Sequence, residues 1–228
     1  MQNKFKLKKN VVIIAAGGAG QRMKKPKQFL LLDKKPMLAH ALLAFEKCPL
    51  IDEIILVIRK QDLKKAKALA KKEKITKLVK FAEAGKERAY SILNGLAQVD
   101  NETNLVAIHD GARPFIDQKT IAASLKAAEK FGAACVGVPA KDTIKKIDAN
   151  ENISATLERK TLWQAQTPQV FKKEIIFQAY KNQNLEGKTD DCSMVEAQGF
   201  PIKMVMGSYL NLKITTPEDL VFAKAIFK

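Results

Sequence analysis

Two hydrophobic patterns alternate along the chain. Short apolar runs rich in β-branched residues, such as "NVVIIAAG" (10–17), predict buried strands. Longer segments with apolar residues three and four positions apart predict helices between them. The predicted strands are 10–17, 52–58, 77–83, 104–110, 133–140 and 201–207, and the predicted helices are 36–48, 62–73, 87–99, 117–131, 172–182 and 190–198. A last helix is expected after Thr216, where Pro217 and Asp219 complete a capping-box variant.

This alternation predicts an α/β fold. Continuous apolar strands joined by helices are typical of a Rossmann-like, mostly parallel sheet with helices on both faces. The alternation stops at residue 141, and the segment 141–171 predicts a β-hairpin excursion around the turn "ANEN" instead of another strand–helix unit. We expect one domain over 1–228, with this hairpin forming an arm at about 141–162.

Charge and cysteine content narrow the classes of function. The formal net charge of +16 favours polyanionic partners, which include nucleic acids, anionic membranes and phosphorylated small molecules. No apolar run approaches the length of a membrane span, and the three cysteines form neither a metal-ligand pattern nor a disulfide framework. We therefore expect a cytoplasmic protein that does not act at a membrane.

A glycine-rich loop follows the first predicted strand, in "AAGGAGQRMKKPKQF" (15–29). Met23 stands where a dinucleotide-binding fingerprint needs a third glycine or alanine, and no Walker A motif is present. Glycines allow successive backbone N–H groups to face an anion, and Arg22 and Lys27 supply cations in the same stretch. The loop is a candidate triphosphate site, and the alternative is a tight turn with surface cations.

Three more distinctive segments follow predicted strand ends, namely "EAGKERA", "HDGARP" and "VPAKDT". Ligands of open α/β sheets bind outside the carboxyl ends of the strands. We therefore expect the glycine-rich loop and these three segments to converge on one site.

The motifs also carry a family resemblance. "AGGAGQRM" with "PKQF", then "HDGARP", "TPQVF", "TD" and "LKITTPEDL", occur in the order seen in sugar and polyol phosphate cytidylyltransferases, and together they cover residues 11–220. The chain most resembles the 2-C-methyl-D-erythritol 4-phosphate cytidylyltransferase family of the non-mevalonate isoprenoid pathway. This resemblance implies transfer of a cytidylyl group from CTP to that polyol phosphate, release of pyrophosphate, a requirement for Mg²⁺ or another divalent cation, and a homodimer joined through the arm.

The resemblance implies roles for individual residues. The catalytic residues would be Arg22 and Lys27, which would steady the α-phosphate during attack. The nucleotide would be bound by Ala16, Gly17, Gly18, Gly20, Gly85 and Ser91. The acceptor would be bound by Asp110, Arg113, Thr143, Arg159, Thr167, Thr189 and Lys213. Asp110 would also be the ligand of Mg²⁺, and Arg159 would reach the pocket of the neighbouring subunit.

Other residues near these motifs have simpler interpretations. His109 is expected to be a packed histidine, because an acceptor phosphate is already ionised and its attack needs no general base. Lys86 stands where many members of the family carry an acidic residue, and it is not among the predicted site residues. Cys192, after "TDD", is expected to be an inert thiol.

Three alternative functions remain at this point. A ribitol 5-phosphate cytidylyltransferase would share the fold and the chemistry. A basic nucleic-acid-binding module would explain the charge, but the chain has neither zinc-finger spacing nor an RNP-type aromatic motif. A dehydrogenase would need the third glycine that the opening loop does not have.

Overall fold

The computed structural model describes residues 8–18, 27–181 and 184–227. The strands in these ranges are β1 (Lys9–Ala15), β2 (Leu31–Leu32), β3 (Lys35–Pro36), β4 (Glu53–Ile58), β5 (Leu78–Glu83), β6 (Thr103–Asp110), β7 (Ala133–Pro139), β8 (Lys145–Ile147), β9 (Ile153–Thr156), β10 (Trp163–Lys172) and β11 (Lys203–Met206). The α-helices are α1 (Met37–Glu46), α2 (Leu63–Lys72), α3 (Arg88–Leu96), α4 (Gln118–Phe131), α5 (Lys173–Tyr180), α6 (Cys192–Glu196) and α7 (Pro217–Ile226).

A seven-stranded sheet in the order β11–β7–β10–β6–β1–β4–β5 forms the centre of the described chain. Six of its strands run parallel, and β10 runs antiparallel between β6 and β7. The predicted α/β fold with a mostly parallel sheet is confirmed.

Helices cover both faces of this sheet, because successive side chains of each buried strand point to opposite sides. On β1, Val12 and Ile14 pack with residues of α1, α2 and α4, whereas Ile13 packs with residues of α3, α5 and α6. The parallel strands in the middle of the sheet are therefore apolar on both faces, which is why they have continuous hydrophobic sequences.

The position of β10 differs from the sequence-based expectation. Its sequence "WQAQTPQVFK" falls in the segment interpreted as a hairpin excursion, yet the strand lies at the centre of the sheet. Gln166 and Gln169 are buried here, and Pro168 interrupts the pattern, so the strand has no alternating or continuous apolar signature. The short β2–β3 hairpin was also not expected, and its turn residues Asp33 and Lys34 have positive φ angles.

The predicted hairpin is present as β8 and β9, which pair antiparallel. Their turn is closed by Asp148, whose Oδ1 accepts hydrogen bonds from the backbone N–H groups of Asn150 and Asn152. Every residue of both strands is exposed, including Ile147 at 55% and Ile153 at 64%. The hairpin therefore presents apolar side chains to its surroundings.

The capping box at the last helix is confirmed. The backbone N–H of Asp219 donates to Thr216 Oγ1, and Asp219 Oδ2 accepts from the backbone N–H of Thr216. Ala223 of this helix packs in a small cluster with Met37 and Ile214. The cap therefore fixes the segment just before α7, which contributes to the site described below. None of the described helices is long and apolar enough to span a membrane.

We predict that Thr216→Ala lowers the free energy of unfolding by about 1 kcal/mol, because it removes the N-cap acceptor. Thr216→Ser is the matched control, since it keeps the hydroxyl, and it should stay close to the parent protein. Urea unfolding followed by circular dichroism measures both variants. Equal stability of the alanine and serine variants would contradict this account of the cap.

Candidate active site

The carboxyl ends of four parallel strands lie side by side at one edge of the sheet. Ala15 at the end of β1 pairs with Val57 of β4 and with Asp110 at the end of β6, and Ile58 pairs with Glu83 of β5. The loops that follow these strands enclose a cavity of about 660 Å³, within the range of small-molecule sites. The described residues that line it are Ala15, Ala16, Gly17, Gly18, Lys27, Gln28, Arg59, Lys60, Gln61, Glu83, Ala84, Gly85, Lys86, Glu87, Arg88, Ser91, Asp110, Gly111, Ala112, Lys213 and Thr215.

Three of the four segments expected to converge are found here: the opening loop, "EAGKERA" and "HDGARP". The fourth, "VPAKDT", contributes no lining residue. It follows β7, and the antiparallel strand β10 separates β7 from β6. The insertion of β10 thus moves this segment away from the cavity.

Close packing of two loops explains the glycines. A Cβ atom at Gly17 would lie 2.2 Å from Cβ of Ala84, so only glycine allows the loop after β1 to touch the loop after β5. A Cβ atom at Gly85 would lie 2.5 Å from Cβ of Tyr90. Ser91 Oγ accepts from the backbone N–H of Gly85 at 3.0 Å and donates to the carbonyl of Glu87 at 3.0 Å, which shapes the second loop.

Cations outnumber acids on the described walls of this cavity. The cations are Lys27, Arg59, Lys60, Lys86, Arg88 and Lys213, and the acids are Glu83, Glu87 and Asp110. Lys27 Nζ donates to the carbonyl of Ile214 at 2.9 Å, which places it beside Lys213. Gly20 and Arg22 lie outside the described residues. The surplus of positive charge suits a polyanionic ligand.

Asp110 is the most strongly paired carboxylate of the site. Its Oδ1 lies 3.2 Å from Arg88 Nε, and its Oδ2 lies 2.9 Å from Lys213 Nζ and 3.7 Å from Arg113 Nε. Burial alone would raise the pKa of Asp110, but the charges of Arg88, Lys213 and Arg113 outweigh burial and hold the pKa far below its usual range. Asp110 is therefore ionised throughout the physiological pH range.

A second cavity of about 410 Å³ adjoins the first. Arg88, Asp110 and Lys213 line both, so the two cavities meet at the Asp110 carboxylate. The other described residues that line the second cavity are Arg113, Ala165, Gln166, Thr167, Gln169, Thr189 and Asp190. Of the residues predicted to bind the acceptor, Asp110, Arg113, Thr167, Thr189 and Lys213 are thus brought together.

Thr143 and Arg159 are not part of this group. Both are exposed, they line neither cavity, and Arg159 Nη1 donates to the carbonyl of Lys141 at 2.8 Å. Their position at the base of the β8–β9 hairpin keeps them away from the cavities of their own chain.

The guanidinium of Arg113 is hydrogen-bonded through Nη1 but has no hydrogen-bond acceptor at Nε in the described part of the chain. Its Nη1 donates to the carbonyl of Asn211 at 2.7 Å, which fixes the guanidinium against the segment before α7. Its Nε is buried and has no hydrogen-bond acceptor among the described residues. This Nε lies 3.7 Å from Asp110 Oδ2, so Arg113 contributes its charge to that carboxylate.

His109 is a fully buried residue behind the site. Burial lowers its pKa to about 4, so the ring is neutral at pH 7. Thr167 Oγ1 accepts from the backbone N–H of Asp110 and lies 3.0 Å from His109 Nδ1. The hydroxyl is then the donor to Nδ1, and Nε2–H donates to the carbonyl of Arg113 at 3.1 Å. These contacts fit the packed histidine of the sequence analysis and orient Thr167.

Lys86 and Cys192 have distinct surroundings. Lys86 Nζ lies 4.7 Å from the centre of the Tyr90 ring at the wall of the first cavity. Cys192 is buried, and the neighbouring Cys135, together with burial, raises the pKa of its thiol well above the usual range. A thiol in that state is a poor nucleophile.

The sequence analysis overlooked Arg88 and Asp191. Arg88 lies in "EAGKERA" at the start of α3, and its Nη2 donates to Asp191 Oδ2 at 2.7 Å, although the two residues are 103 positions apart. Burial would lower the pKa of Arg88, but Asp191 and Asp110 more than offset it and raise the pKa. Both residues lie in motifs quoted above, Arg88 in "EAGKERA" and Asp191 in "TDD". Only the fold brings these two motifs together.

No group of three or more histidine, cysteine, aspartate or glutamate residues suited to a metal occurs within the described ranges. Asp110 is the carboxylate at the junction of the two cavities. Mg²⁺ in nucleotide enzymes is commonly held by one or two carboxylates together with substrate phosphates and water. The donor set at Asp110 therefore fits Mg²⁺ that is brought in with a nucleotide.

The fold and the site define a class of protein. A parallel α/β sheet carries a glycine-lined, cation-rich cavity at its carboxyl edge, and a second polar cavity meets it at one carboxylate. This arrangement suits an enzyme that joins a nucleotide to an anionic acceptor, which is a nucleotidyltransferase.

Comparison with known proteins identifies the family. The family model of 2-C-methyl-D-erythritol 4-phosphate cytidylyltransferase (IspD) matches residues 10–228, and the chain belongs to this family. The enzyme of that name from Syntrophus aciditrophicus is 44% identical over 225 residues, which cover 96% of each chain. The enzyme of that name from Clostridium acetobutylicum is also 44% identical over 225 residues, with 96% of this chain and 97% of the relative covered.

Solved structures support the same family assignment. The 4-diphosphocytidyl-2C-methyl-D-erythritol synthase of Anaerococcus prevotii superposes with a TM-score of 0.85 at 32% identity, covering 96% of this chain and 98% of that one. The cytidylyltransferase of Thermus thermophilus gives a TM-score of 0.76 at 29% identity, with 96% and 98% covered. The predicted family and the predicted enzyme class, a cytidylyltransferase, are confirmed.

We predict that stability falls by roughly 3 kcal/mol as the pH drops from about 6.5 to about 4, through His109. The pKa of His109 is lowered to about 4 in the folded chain, so the unfolded chain binds a proton over this interval while the folded chain does not. Denaturant unfolding at a series of pH values measures the slope. His109→Gln has no imidazole to protonate, so its free energy of unfolding should depend less on pH over this interval. An unchanged pH dependence in that variant would contradict the assignment to His109.

Proposed function

We propose that this chain transfers the cytidylyl group of CTP to 2-C-methyl-D-erythritol 4-phosphate. A phosphate oxygen of the acceptor forms a bond to the α-phosphorus, the bond from that phosphorus to the bridging oxygen of the β-phosphate breaks, and pyrophosphate leaves. The observation that carries this proposal is the meeting of a glycine-lined, cation-rich cavity with a second polar cavity at Asp110.

The chemistry needs alignment and charge neutralisation more than proton transfer. The acceptor phosphate is ionised at neutral pH, so no protein base has to activate it. Two polyanions must approach each other, and fixed cations lower the cost of that approach and of the charge in the transition state. Both ring nitrogens of the buried His109 are engaged, with the Thr167 hydroxyl and with the carbonyl of Arg113, which is consistent with a reaction in which it is not the base.

The nucleotide occupies the first cavity in this proposal. Ala16, Gly17, Gly18, Gly20, Gly85 and Ser91 bind it. The close approach of the loops at Gly17 and Gly85 supports this, because their backbone groups can read the edge of a cytosine. Lys27 and Arg22 are the catalytic cations at the α-phosphate, and the position of Lys27 Nζ beside Ile214 and Lys213 supports its role.

The acceptor occupies the second cavity. The guanidinium of Arg113, which lines the second cavity, and the ammonium of Lys213, whose side chain is 37% exposed, supply positive charge for its phosphate. The hydroxyl groups of Thr167 and Thr189 are suited to the polyol. Asp110 separates the two substrates and orders the cations around them.

Mg²⁺ is part of the proposed reaction. Asp110 would supply its protein oxygen, and the triphosphate would supply others. When bound, the ion neutralises charge on the phosphates.

We further propose a homodimer joined through the hairpin, in the cytoplasm, with residues 1–228 forming one domain around the sheet. A two-stranded hairpin is only marginally stable in water by itself. The exposed side chains of Ile147 and Ile153 would be buried by a partner surface. Thr143 and Arg159 lie at the base of this arm, outside the cavities of their own chain, and would serve the site of the second subunit. The buried, unpaired Cys48, Cys135 and Cys192 suit a reducing compartment.

A pyrophosphate-release assay tests the function. Release should require CTP, 2-C-methyl-D-erythritol 4-phosphate and Mg²⁺ together, and a chelator should abolish it. Ribitol 5-phosphate is the matched acceptor, which should support turnover far more weakly. Equal turnover with ribitol 5-phosphate would overturn the proposed identity of the acceptor. Full activity in excess chelator would overturn the proposed requirement for Mg²⁺.

Subunit mixing tests the shared site. Lys27→Ala should lower kcat by roughly 10²-fold, because it removes a cation that acts on the transition state. Arg159→Ala should also be inactive in the assay, because it removes a cation that binds the acceptor. If Arg159 serves the partner's site, a heterodimer of the two variants has one intact site and about half of the parent activity.

The control is Lys64→Ala, on the exposed face of α2, which should leave kcat unchanged. Heterodimers that form but stay inactive would show that Arg159 serves its own chain. A monomer in sedimentation at assay concentrations would contradict the dimer itself.

A further inference from the structure

A line of polar side chains crosses the junction between the two cavities. The Tyr180 hydroxyl donates to Asp191 Oδ1 at 2.7 Å, Arg88 Nη2 donates to Asp191 Oδ2 at 2.7 Å, and Arg88 Nε donates to Asp110 Oδ1 at 3.2 Å. These groups come from α5, the residue before α6, α3 and β6. The line ends at the carboxylate that faces both cavities.

The inner end of this line is rigidly held. Asp191 is fully buried, and its backbone N–H donates to Gln169 Oε1 at 2.9 Å. A buried carboxylate that lost its cation would be costly, so Arg88 cannot leave Asp191 without a large penalty. The guanidinium is thereby anchored at a fixed distance from Asp110.

Lys213 contrasts with Arg88. Its side chain is 37% exposed, compared with 19% for Arg88, and its ammonium contacts the other oxygen of Asp110. A partly exposed lysine with a single ammonium can turn to a substrate phosphate, whereas a guanidinium that binds two carboxylates through different nitrogen atoms keeps its orientation. When Lys213 moves, Arg88 remains to hold Asp110.

We propose that Arg88 is a positioning residue for cytidylyl transfer, which holds the Asp110 carboxylate at the junction of the two substrate cavities through its anchor at Asp191. This inference rests on the proposed function. Asp110 stands between the nucleotide and the acceptor, so its rotation would misalign the groups that react. A displacement of about 1 Å can cost about 10²-fold in rate.

Arg88→Met is the first variant that tests this role. It should lower kcat by about 10²-fold and leave KM for CTP within about threefold, because Lys27 and the two glycine loops remain. It should also lower the thermal midpoint, because Asp191 loses its cation.

The double variant Arg88→Met/Asp191→Asn separates the positioning role from a merely structural one. Its asparagine no longer needs a cation and can still accept from Tyr180, so the thermal midpoint should return towards that of the parent. The kcat should stay as low as in Arg88→Met, because Asp110 is still unanchored. Recovery of kcat together with stability would show that Arg88 only neutralises Asp191, and would overturn the proposal.

Two further variants keep the test decisive if the methionine proteins fold poorly. Arg88→Lys keeps the buried positive charge, but its single ammonium cannot bind Asp110 and Asp191 through two separate nitrogen atoms. This variant should fold, and its kcat should be roughly tenfold lower. Tyr180→Phe removes the hydrogen bond that the tyrosine hydroxyl donates to Asp191, but it leaves the contact between Arg88 and Asp191. It should keep kcat within about twofold while it lowers the thermal midpoint by a few degrees.

A parental kcat in Arg88→Lys would contradict the proposal. A rise in KM for CTP at constant kcat in any Arg88 variant would also contradict it, because it would mean that Arg88 binds the nucleotide directly. The parent protein is assayed in parallel, and its own inactivity would be a failure of the proposed function, not of the role of Arg88.

Discussion

The buried carboxylate of Asp110 imposes the constraint on which the site depends. An ionised group at the end of a buried strand is costly unless cations surround it. Here the cations come from α3, from the turn after β6 and from the segment before α7, as Arg88, Arg113 and Lys213. These three parts of the chain must meet at the end of β6 for the charge to be tolerated. Their meeting creates the junction between the two cavities.

The same electrostatics suit phosphate chemistry. Cations gathered around one carboxylate can also face the phosphates of substrates, so part of the charge balance is exchanged when ligands bind. Lys213 is exposed enough to take part in such an exchange, whereas Arg88 is tied to the buried Asp191. His109 stays neutral behind them and supports the site through hydrogen bonds.

The antiparallel strand β10 gives this parallel sheet its second cavity. It lies between β6 and β7 and carries Thr167 and Gln169 towards the carboxyl end of β6. Thr167 bonds the backbone of Asp110, and Gln169 bonds the backbone of Asp191 and Cys192. The strand therefore couples the end of β6 to the loop before α6. The polar residues that weaken its strand signal are the residues that make these contacts.

Features that depend on neighbours along the chain could be predicted from local sequence patterns. Apolar runs and helical spacing predicted the parallel strands and the helices around them, and the cap at Thr216 follows from three adjacent residues. The ordered motifs predicted the family and most of the residues around both cavities. Tertiary structure alone decided the central place of β10, the separation of "VPAKDT" from the cavity, and the link between Arg88 and Asp191. Hydrophobic periodicity is a local property, whereas a buried glutamine, arginine or aspartate is stable only with partners that lie far away in the sequence. Such residues can be interpreted only after the fold has brought those partners into contact.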